Sequence, residues 1–228
     1  MTTLDRAIPA ADRSGVFITL EGPDGAGKST LAKIVADRLR TEGFEVATVR
    51  DPGGTPLGDR IRSLLLDRSD LCISLRAEMF LYMASRAQLV DEAIAPALAA
   101  GKIVICDRFL LSNVVYQGYA GGLEVAEIWR IGRTATRGLT PDLTCVIDVP
   151  REIARRRVSG PRDRIEDRDE EYKERVRGGF LAAARGEAGF PGEHTGTIRL
   201  IDGSADLDTV SDRLMCEVRD VLAKRARS

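Results

Sequence analysis

The chain has 228 residues, 43% hydrophobic and 30% charged, with a formal net charge of −1. That balance suits one large α/β domain with a substantial core and speaks against a general nucleic-acid binder, which carries a strongly basic surplus. No run approaches the roughly 18 apolar residues of a membrane span.

Residues 1–13 are polar and have no apolar h-region, so they read as a short disordered lead, not a signal peptide, before a single domain over 14–228. The stretch 16–20 (VFITL) is an apolar strand, followed by a glycine-rich turn and the start of a helix. Here Gly22, Gly27, Lys28 and Ser29 satisfy the pattern G-x-x-x-x-G-K-[ST] in the strand–turn–helix context it requires. An ordinary Gly-rich turn is the plain alternative, but four constrained positions seldom match by chance. Glycines let the backbone turn successive N–H groups onto phosphate oxygens, and the helix N-terminus adds its dipole. A phosphate cradle is therefore expected over Gly22, Pro23, Asp24, Gly25, Ala26, Gly27, Lys28, Ser29 and Thr30. Lys28 would reach the β/γ-phosphates, and the Ser29 hydroxyl would ligate Mg²⁺.

A helix over 29–40 is predicted from the stripe Leu31, Ile34, Val35, Leu39, with Gly43 ending it. A short strand at 45–49 leads into the turn Asp51-Pro52-Gly53-Gly54-Thr55. Helices are expected over 57–66 and, as one longer element, over 75–100, stopped by Gly101. The run 102–106 (KIVIC) reads as a buried parallel strand that presents Asp107 at its C-terminal edge. Helical segments at 110–119 and 125–137 precede a strand at 143–149, a basic segment at 151–168 and a helix at 170–185. A last strand at 197–201 and a helix at 206–225 close the chain. Strands alternating with helices predict an α/β, doubly wound, three-layer sandwich of the P-loop NTPase kind. Its sheet has five mostly parallel strands with helices on both faces, and a short Arg-rich lid is expected at about 150–168. Cys72, Cys106, Cys145 and Cys216 lack C-x-x-C spacing and read as reduced core thiols of a cytoplasmic protein. His194, the single histidine, falls in an apparent loop and is expected to be exposed.

Asp107 and Arg108 at the strand end would face the P-loop, the carboxylate holding Mg²⁺ and the guanidinium a second phosphate; a plain surface Asp–Arg pair is the alternative. Tyr82 and Arg86, four apart, share one helix face, where a ring can stack on a base and a guanidinium can grip a phosphate or carbonyl. Asn113 carries the donor–acceptor pair that reads a pyrimidine edge. Core or capping roles for Tyr82, Ser112 and Asn113 stay open on the residues alone. The turn D-P-G-G also fits the D-x-x-G pattern of GTPases, but it follows the second strand, and no N/T-K-x-D motif accompanies it.

Five segments together carry a specific resemblance: EGPDGAGKST (21–30), RDPGGTPLGDRIR (50–62), FLYMASRAQLVDEAIAPAL (80–98), CDRFLLSNVVYQGYAGG (106–122) and RDRIE (162–166). From about residue 16 to the C-terminus the chain resembles thymidylate kinases of the bacterial type. The resemblance implies transfer of the ATP γ-phosphoryl to dTMP, with ATP and Mg²⁺ as cofactors and a homodimeric assembly. It places Lys28, Asp24 and Arg108 in catalysis, Arg108 on the acceptor phosphate, and Asp24 on the acceptor sugar hydroxyl or a magnesium-bound water. Ser29 and Asp107 go with the metal. Arg50, Tyr82, Arg86, Ser112, Asn113, Tyr116 and Gln117 join Asp24 and Arg108 around the acceptor, with Tyr116 under the deoxyribose. Gly25 leaves no arginine inside the P-loop, so the transition-state cation is expected from the lid, with Arg157, Arg162 and Arg164 as candidates beside Arg155 and Arg156. Glu166 would orient the lid or a metal-bound water. Two positions depart from the family: Tyr82 where Phe is usual, and Asp51 where Glu is usual, one methylene shorter. A kinase for another pyrimidine deoxynucleotide or nucleoside remains a rival reading. So does a regulatory P-loop ATPase, which would leave Tyr82, Arg86 and Asn113 without a purpose.

Overall fold

The computed structural model describes residues 7–8, 13–67, 71–157, 164–165 and 167–226. Strand β1 (Val16–Glu21) is buried at all six positions because it lies in the middle of a five-stranded sheet. The order is β2-β3-β1-β4-β5, formed with β2 (Val46–Arg50), β3 (Ile103–Asp107), β4 (Leu143–Asp148) and β5 (Thr197–Asp202). Every pairing is parallel, as the continuous apolar runs require of strands covered on both faces.

Side-chain alternation sends the strands into two cores. Phe17, Val104, Cys106 and Val146 meet α3 (Leu75–Leu89), α5 (Leu110–Asn113), α6 (Val125–Ala135) and α8 (Glu170–Ala184). Ile18, Leu20, Ile103, Ile105, Cys145 and Ile147 meet α1 (Lys28–Thr41) and α10 (Leu207–Arg225) on the other face. Helix, sheet and helix layers result, as expected. Each fully buried Leu, Ile or Phe in these clusters contributes about 1.5–3 kcal/mol of transfer free energy.

Register positions the chemistry. Leu20 and Arg50 both pair with Asp107, so β1, β2 and β3 end level and deliver Glu21, Asp51 and Arg108 to one edge. Helix α2 (Pro56–Leu66) starts with Pro56 at its first position and with Thr55, whose hydroxyl accepts the Gly58 N–H.

Two helices are less regular than expected. The segment 75–100 is α3, then a π-helical stretch Val90–Ile94, then α4 (Ala95–Ala99). Pro96 supplies no N–H and its ring crowds the carbonyl four residues back; the wider turn, with Ala95 N–H bonded to the Val90 carbonyl, accommodates it. The segment 110–119 is α5 followed by a π-helical Val114–Tyr119, with Ala120 N–H on the Val115 carbonyl at 2.8 Å. Strand and helix ends otherwise move by one or two residues.

Several expectations are corrected. His194 is not an exposed loop residue: it lies in a short helix α9 (Gly192–Thr195), its side chain only 12% exposed and its ring 5.1 Å from Trp129. Of the four cysteines, Cys106 and Cys145 are core, whereas Cys72 and Cys216 are exposed. Within the expected lead, Arg13 is buried against Asp142 at 2.9 Å, and the Ile8 N–H bonds the Arg137 carbonyl at 3.0 Å. In the expected lid, α7 (Arg151–Arg157) is a helix, while Arg162 and Glu166 lie outside the described residues. Among the described residues no helix is long and apolar enough to cross a membrane.

Candidate active site

The loop after β1 is shaped by what packs against it. Gly22 has φ 136°, and a side-chain carbon there would stand 2.4 Å from the Ile147 carbonyl oxygen of β4. Gly25 has φ 77°, and its carbon would stand 2.5 Å from the Ala154 carbonyl oxygen of α7. Only glycine fits either place. The loop then opens into α1, whose first-turn N–H groups and dipole face outward as an anion site. Lys28 folds back, its Nζ on the Pro23 carbonyl at 2.7 Å. Burial, seconded by Arg108, lowers its pKa to about 8 against the pull of Asp24, Asp107 and Glu21.

The Ser29 hydroxyl donates to Asp107 Oδ2, and Asp107 Oδ1 is buried without a hydrogen-bonding partner. A hydroxyl and a carboxylate oxygen left over beside a phosphate loop are the hard donors a magnesium ion takes, so this pair fits the metal. A cleft of about 1250 Å³ runs from here past Arg50, Arg62 and Arg157 to Ala205 and Leu207 at the start of α10.

Arg108 is the centre of the site. Its Nη1 donates to the Gly22 carbonyl at 2.9 Å and the Ser112 hydroxyl at 3.1 Å; its Nη2 donates to Asp24 Oδ1 at 2.5 Å and the Tyr116 hydroxyl at 3.1 Å. The guanidinium also lies 5.1 Å from the centre of the Tyr116 ring. Tyr116 in turn donates to Asp24 Oδ2 at 3.0 Å. Burial opposes the charge on Arg108, yet Tyr116, Asp24, Asp107 and Glu21 together raise its pKa. Burial likewise pushes Asp24 up, but Arg108 and Lys28 outweigh it and hold that carboxyl below its ordinary value.

Glu21, the last residue of β1, is 0% exposed. It accepts the Phe109 N–H at 2.9 Å and the Ser112 hydroxyl at 2.5 Å, so it caps α5 from another element, where Phe109 offers no cap of its own. Burial raises its pKa to about 7, against Ser112, Arg108, the Phe109 N–H and Arg86.

A second, smaller cavity of about 80 Å³ adjoins the cleft, and the two share Asp24, Asp51, Arg62 and Arg108. Tyr82, Arg86, Ser112, Asn113, Tyr116 and Gln117, which sequence reasoning grouped together, all line it. Their bonding is not as predicted. Arg86 is 1% exposed and spends its guanidinium on Asp51 (2.5 Å), Met83 Sδ (3.2 Å), Asn113 Oδ1 (2.8 Å) and the Phe109 carbonyl (3.2 Å). Asn113 has both ends of its amide engaged, accepting from Arg86 and donating to Gln117 at 2.7 Å. Asp51 is raised by burial against Arg86, and one of its carboxylate oxygens, Oδ1, has no partner.

Three predicted residues stand elsewhere. Arg50 ends β2 exposed and pairs with Asp59 of α2 at 3.0 Å, on the cleft and not on the smaller cavity. Arg157 also lies on the cleft, but donates to the Gly203 and Ala205 carbonyls at 2.9 and 3.1 Å. Arg164 is away from the P-loop: it binds Glu78 at 2.5 Å and the Leu65 carbonyl at 2.9 Å, because Glu78 is fully buried and needs a countercharge. Sequence reasoning did not single out Arg62 and Ile165, which line the smaller cavity, or Glu21 and Glu78, which hold residues that line it. The signal for Glu21 was a lone carboxylate closing an apolar strand; for Arg62 it was membership of the quoted 50–62 motif.

The sequence profile of the family described as Thymidylate kinase matches residues 20–190. The chain is 43% identical to a thymidylate kinase of Exiguobacterium sibiricum, over 94% of this chain and 99% of that protein. It is 42% identical to one of Caldanaerobacter subterraneus subsp. tengcongensis, over 91% and 97% of the two chains. With one of Symbiobacterium thermophilum it shares 40% identity, over 93% and 96%. Alignments that run nearly end to end, across a sheet whose strand ends gather a P-loop and a second cavity around Arg108, lead to one conclusion: this chain belongs to the thymidylate kinase family.

Proposed function

We infer that the chain transfers the γ-phosphoryl group of ATP to dTMP, giving dTDP and ADP. The observation that carries this reading is that Asp24 and Arg108 line both the P-loop cleft and the smaller cavity, so a donor in one and an acceptor in the other would meet at the same side chains.

Gly22 to Thr30 would hold the donor phosphates, with Lys28 supplying charge. Ser29 and Asp107 would hold magnesium, which when bound neutralises negative charge on those phosphates. The smaller cavity is narrower than a nucleotide, so acceptor entry requires the Asp24–Arg108–Tyr116 cluster to part. An acceptor phosphate competes with Asp24 for Arg108, and Arg62 on the same wall adds a second guanidinium. Tyr82 supplies a ring for the base, and Tyr116 closes the sugar side. Arg86, held by Asp51 and Asn113, fixes that wall. The acceptor is already anionic, so no general base is required; positioning and charge neutralisation do the work. Arg155, on the exposed side of α7 next to the P-loop, joins Arg157 and Arg162 as a source of transition-state charge. The exposed apolar side chains Leu57 and Leu64 of α2 and Phe80 of α3 support a homodimer, and the two buried thiols suit a cytoplasmic protein.

The test is ADP release with ATP, Mg²⁺ and a panel of dTMP, dUMP, dCMP, UMP and thymidine. Release with dTMP, weak with dUMP and near background with the rest, is the expected result. Equal rates across the panel would discard the base-side assignments, and release without any acceptor would turn the reading into a regulatory ATPase.

A further inference from the structure

Glu78 lies on α3 in the sequence LRAEMF and is 0% exposed. A carboxylate taken out of water is costly unless charge and hydrogen bonds meet it. Here three side chains do so from two directions. From the π-helical segment after α5, Gln117 Nε2 donates to Oε1 at 2.8 Å. From the segment before α8, Arg164 Nη2 donates to Oε2 at 2.5 Å, and Arg168 Nη2 reaches both oxygens at 2.9 Å.

Each direction continues to the acceptor cavity. Gln117 accepts from Asn113 (2.7 Å), Asn113 accepts from Arg86 (2.8 Å), and Arg86 donates to Asp51 (2.5 Å). That chain of bonds is one wall. On the other side, Arg164 is also pinned to the end of α2, its Nε on the Leu65 carbonyl and its backbone N–H on the Leu66 carbonyl. The Arg168 guanidinium lies 4.5 Å from the centre of the Tyr172 ring, and the Tyr172 hydroxyl bonds the Tyr116 carbonyl at 2.7 Å. Between the two arginines Ile165, 6% exposed, lines the acceptor cavity opposite Tyr82 and Asn113.

We propose that Glu78 is a positioning residue for the phosphoryl acceptor: one buried carboxylate holds the Gln117–Asn113–Arg86 wall and, through Arg164 and Arg168, seats Ile165 against the same cavity. Glu78 itself does not line the cavity and touches neither the P-loop nor the cleft. Its removal therefore acts on the acceptor through other side chains and leaves donor binding alone. The proposal rests on the reading of this cavity as the dTMP site.

The experiment compares the whole chain with Glu78→Gln, Glu78→Asp and the double variant Arg164→Ala/Arg168→Ala. Each is titrated with dTMP at saturating ATP and with ATP at saturating dTMP, and each is melted. Glu78→Gln keeps the acceptor for Gln117 but turns an amide toward the two arginines. The expected result is a rise in KM for dTMP of about ten- to a hundredfold, the scale of a misplaced binding wall, with KM for ATP within about twofold. Glu78→Asp, which keeps the charge, recovers part of the loss. The arginine double variant, altered at side chains that are 22% exposed, reproduces the acceptor defect even where Glu78→Gln fails to fold. A folded Glu78→Gln with wild-type KM for dTMP overturns the proposal. So does a double variant with unchanged acceptor constants, or a loss shared equally by ATP and dTMP. A wild-type chain that releases no ADP with dTMP overturns the acceptor assignment and this role with it; wild-type turnover with unmoved variants overturns this role alone.

Discussion

Arg108 has φ 69°, a left-handed backbone that a non-glycine residue adopts at a cost of about 1–3 kcal/mol. The four side-chain bonds of its guanidinium and its own N–H on the Leu20 carbonyl hold it there. With this backbone the side chain lies over the P-loop, on the Gly22 carbonyl and Asp24, where a residue continuing the strand would stand out from one face of the sheet. Lysine cannot replace it, because one ammonium does not span Gly22, Ser112, Asp24 and Tyr116 at once. Arg108→Ala should lower kcat/KM for dTMP by about 10²–10³-fold, the scale of losing a preorganised donor to a developing charge. KM for ATP should stay near wild type in steady-state kinetics; unchanged dTMP constants would remove Arg108 from the acceptor site.

Among the elements, the P-loop and α7 constrain each other. The expectation that Gly25 leaves the loop without an arginine has a steric counterpart: the Ala154 carbonyl of α7 occupies the space a side chain would need. Gly25→Ala must push α7 away while also forcing φ 77° on alanine. It should cost about 1–3 kcal/mol, read as a fall in unfolding free energy by urea titration, and lower turnover because the loop and α7 shift together. Full stability in this variant would mean that α7 yields freely. The elements also show what was legible. The P-loop was read residue by residue because its geometry is encoded within nine consecutive positions. The lining of the smaller cavity was legible as a set, since Tyr82, Arg86, Ser112, Asn113, Tyr116 and Gln117 share two helix faces. Who bonds whom was not legible. Asn113 looked free to read a base, yet its partners Arg86 and Gln117 are fixed only when α3 and α5 pack. Nothing in the sequence singled out Glu78, because the arginines that meet it come from 86 and 90 positions further on. The pairing of Arg164 with Glu78 was out of reach for the same reason. Helix α9 was missed because four residues that begin with Gly192 and stop at Gly196 give no periodic signal.

For the molecule as a whole, two buried groups tilt stability with pH in opposite senses. Glu21 has its pKa raised to about 7, so the folded chain holds a proton there that the unfolded chain has already released. Stability is therefore greatest below the ordinary carboxylate range and falls as pH rises from about 4.5 through 7, by at most about 3 kcal/mol. Lys28 is depressed to about 8, so the unfolded chain binds the extra proton and stability rises with pH from about 8 to 10.5. Urea unfolding of Glu21→Gln at pH 5.5 and 7.5 should show a smaller drop between the two than wild type, even though the variant is weaker overall at α5. An equal drop would place the titrating group elsewhere.

The end of β3 has one more implication. Asp107 turns to Ser29 and the next residue, Arg108, turns to Asp24, so adjacent positions face different sides of the P-loop. Pairing with both β1 and β2 denies β3 any freedom to slide. Insertion of a single residue between Ile103 and Asp107 would put the carboxylate in the place of Arg108, and deletion of one there would put the guanidinium in the place of Asp107. Substitution in this stretch can be graded, but a change of length cannot. A surface loop can absorb an added residue, and this is the place where the count of residues has to stay fixed.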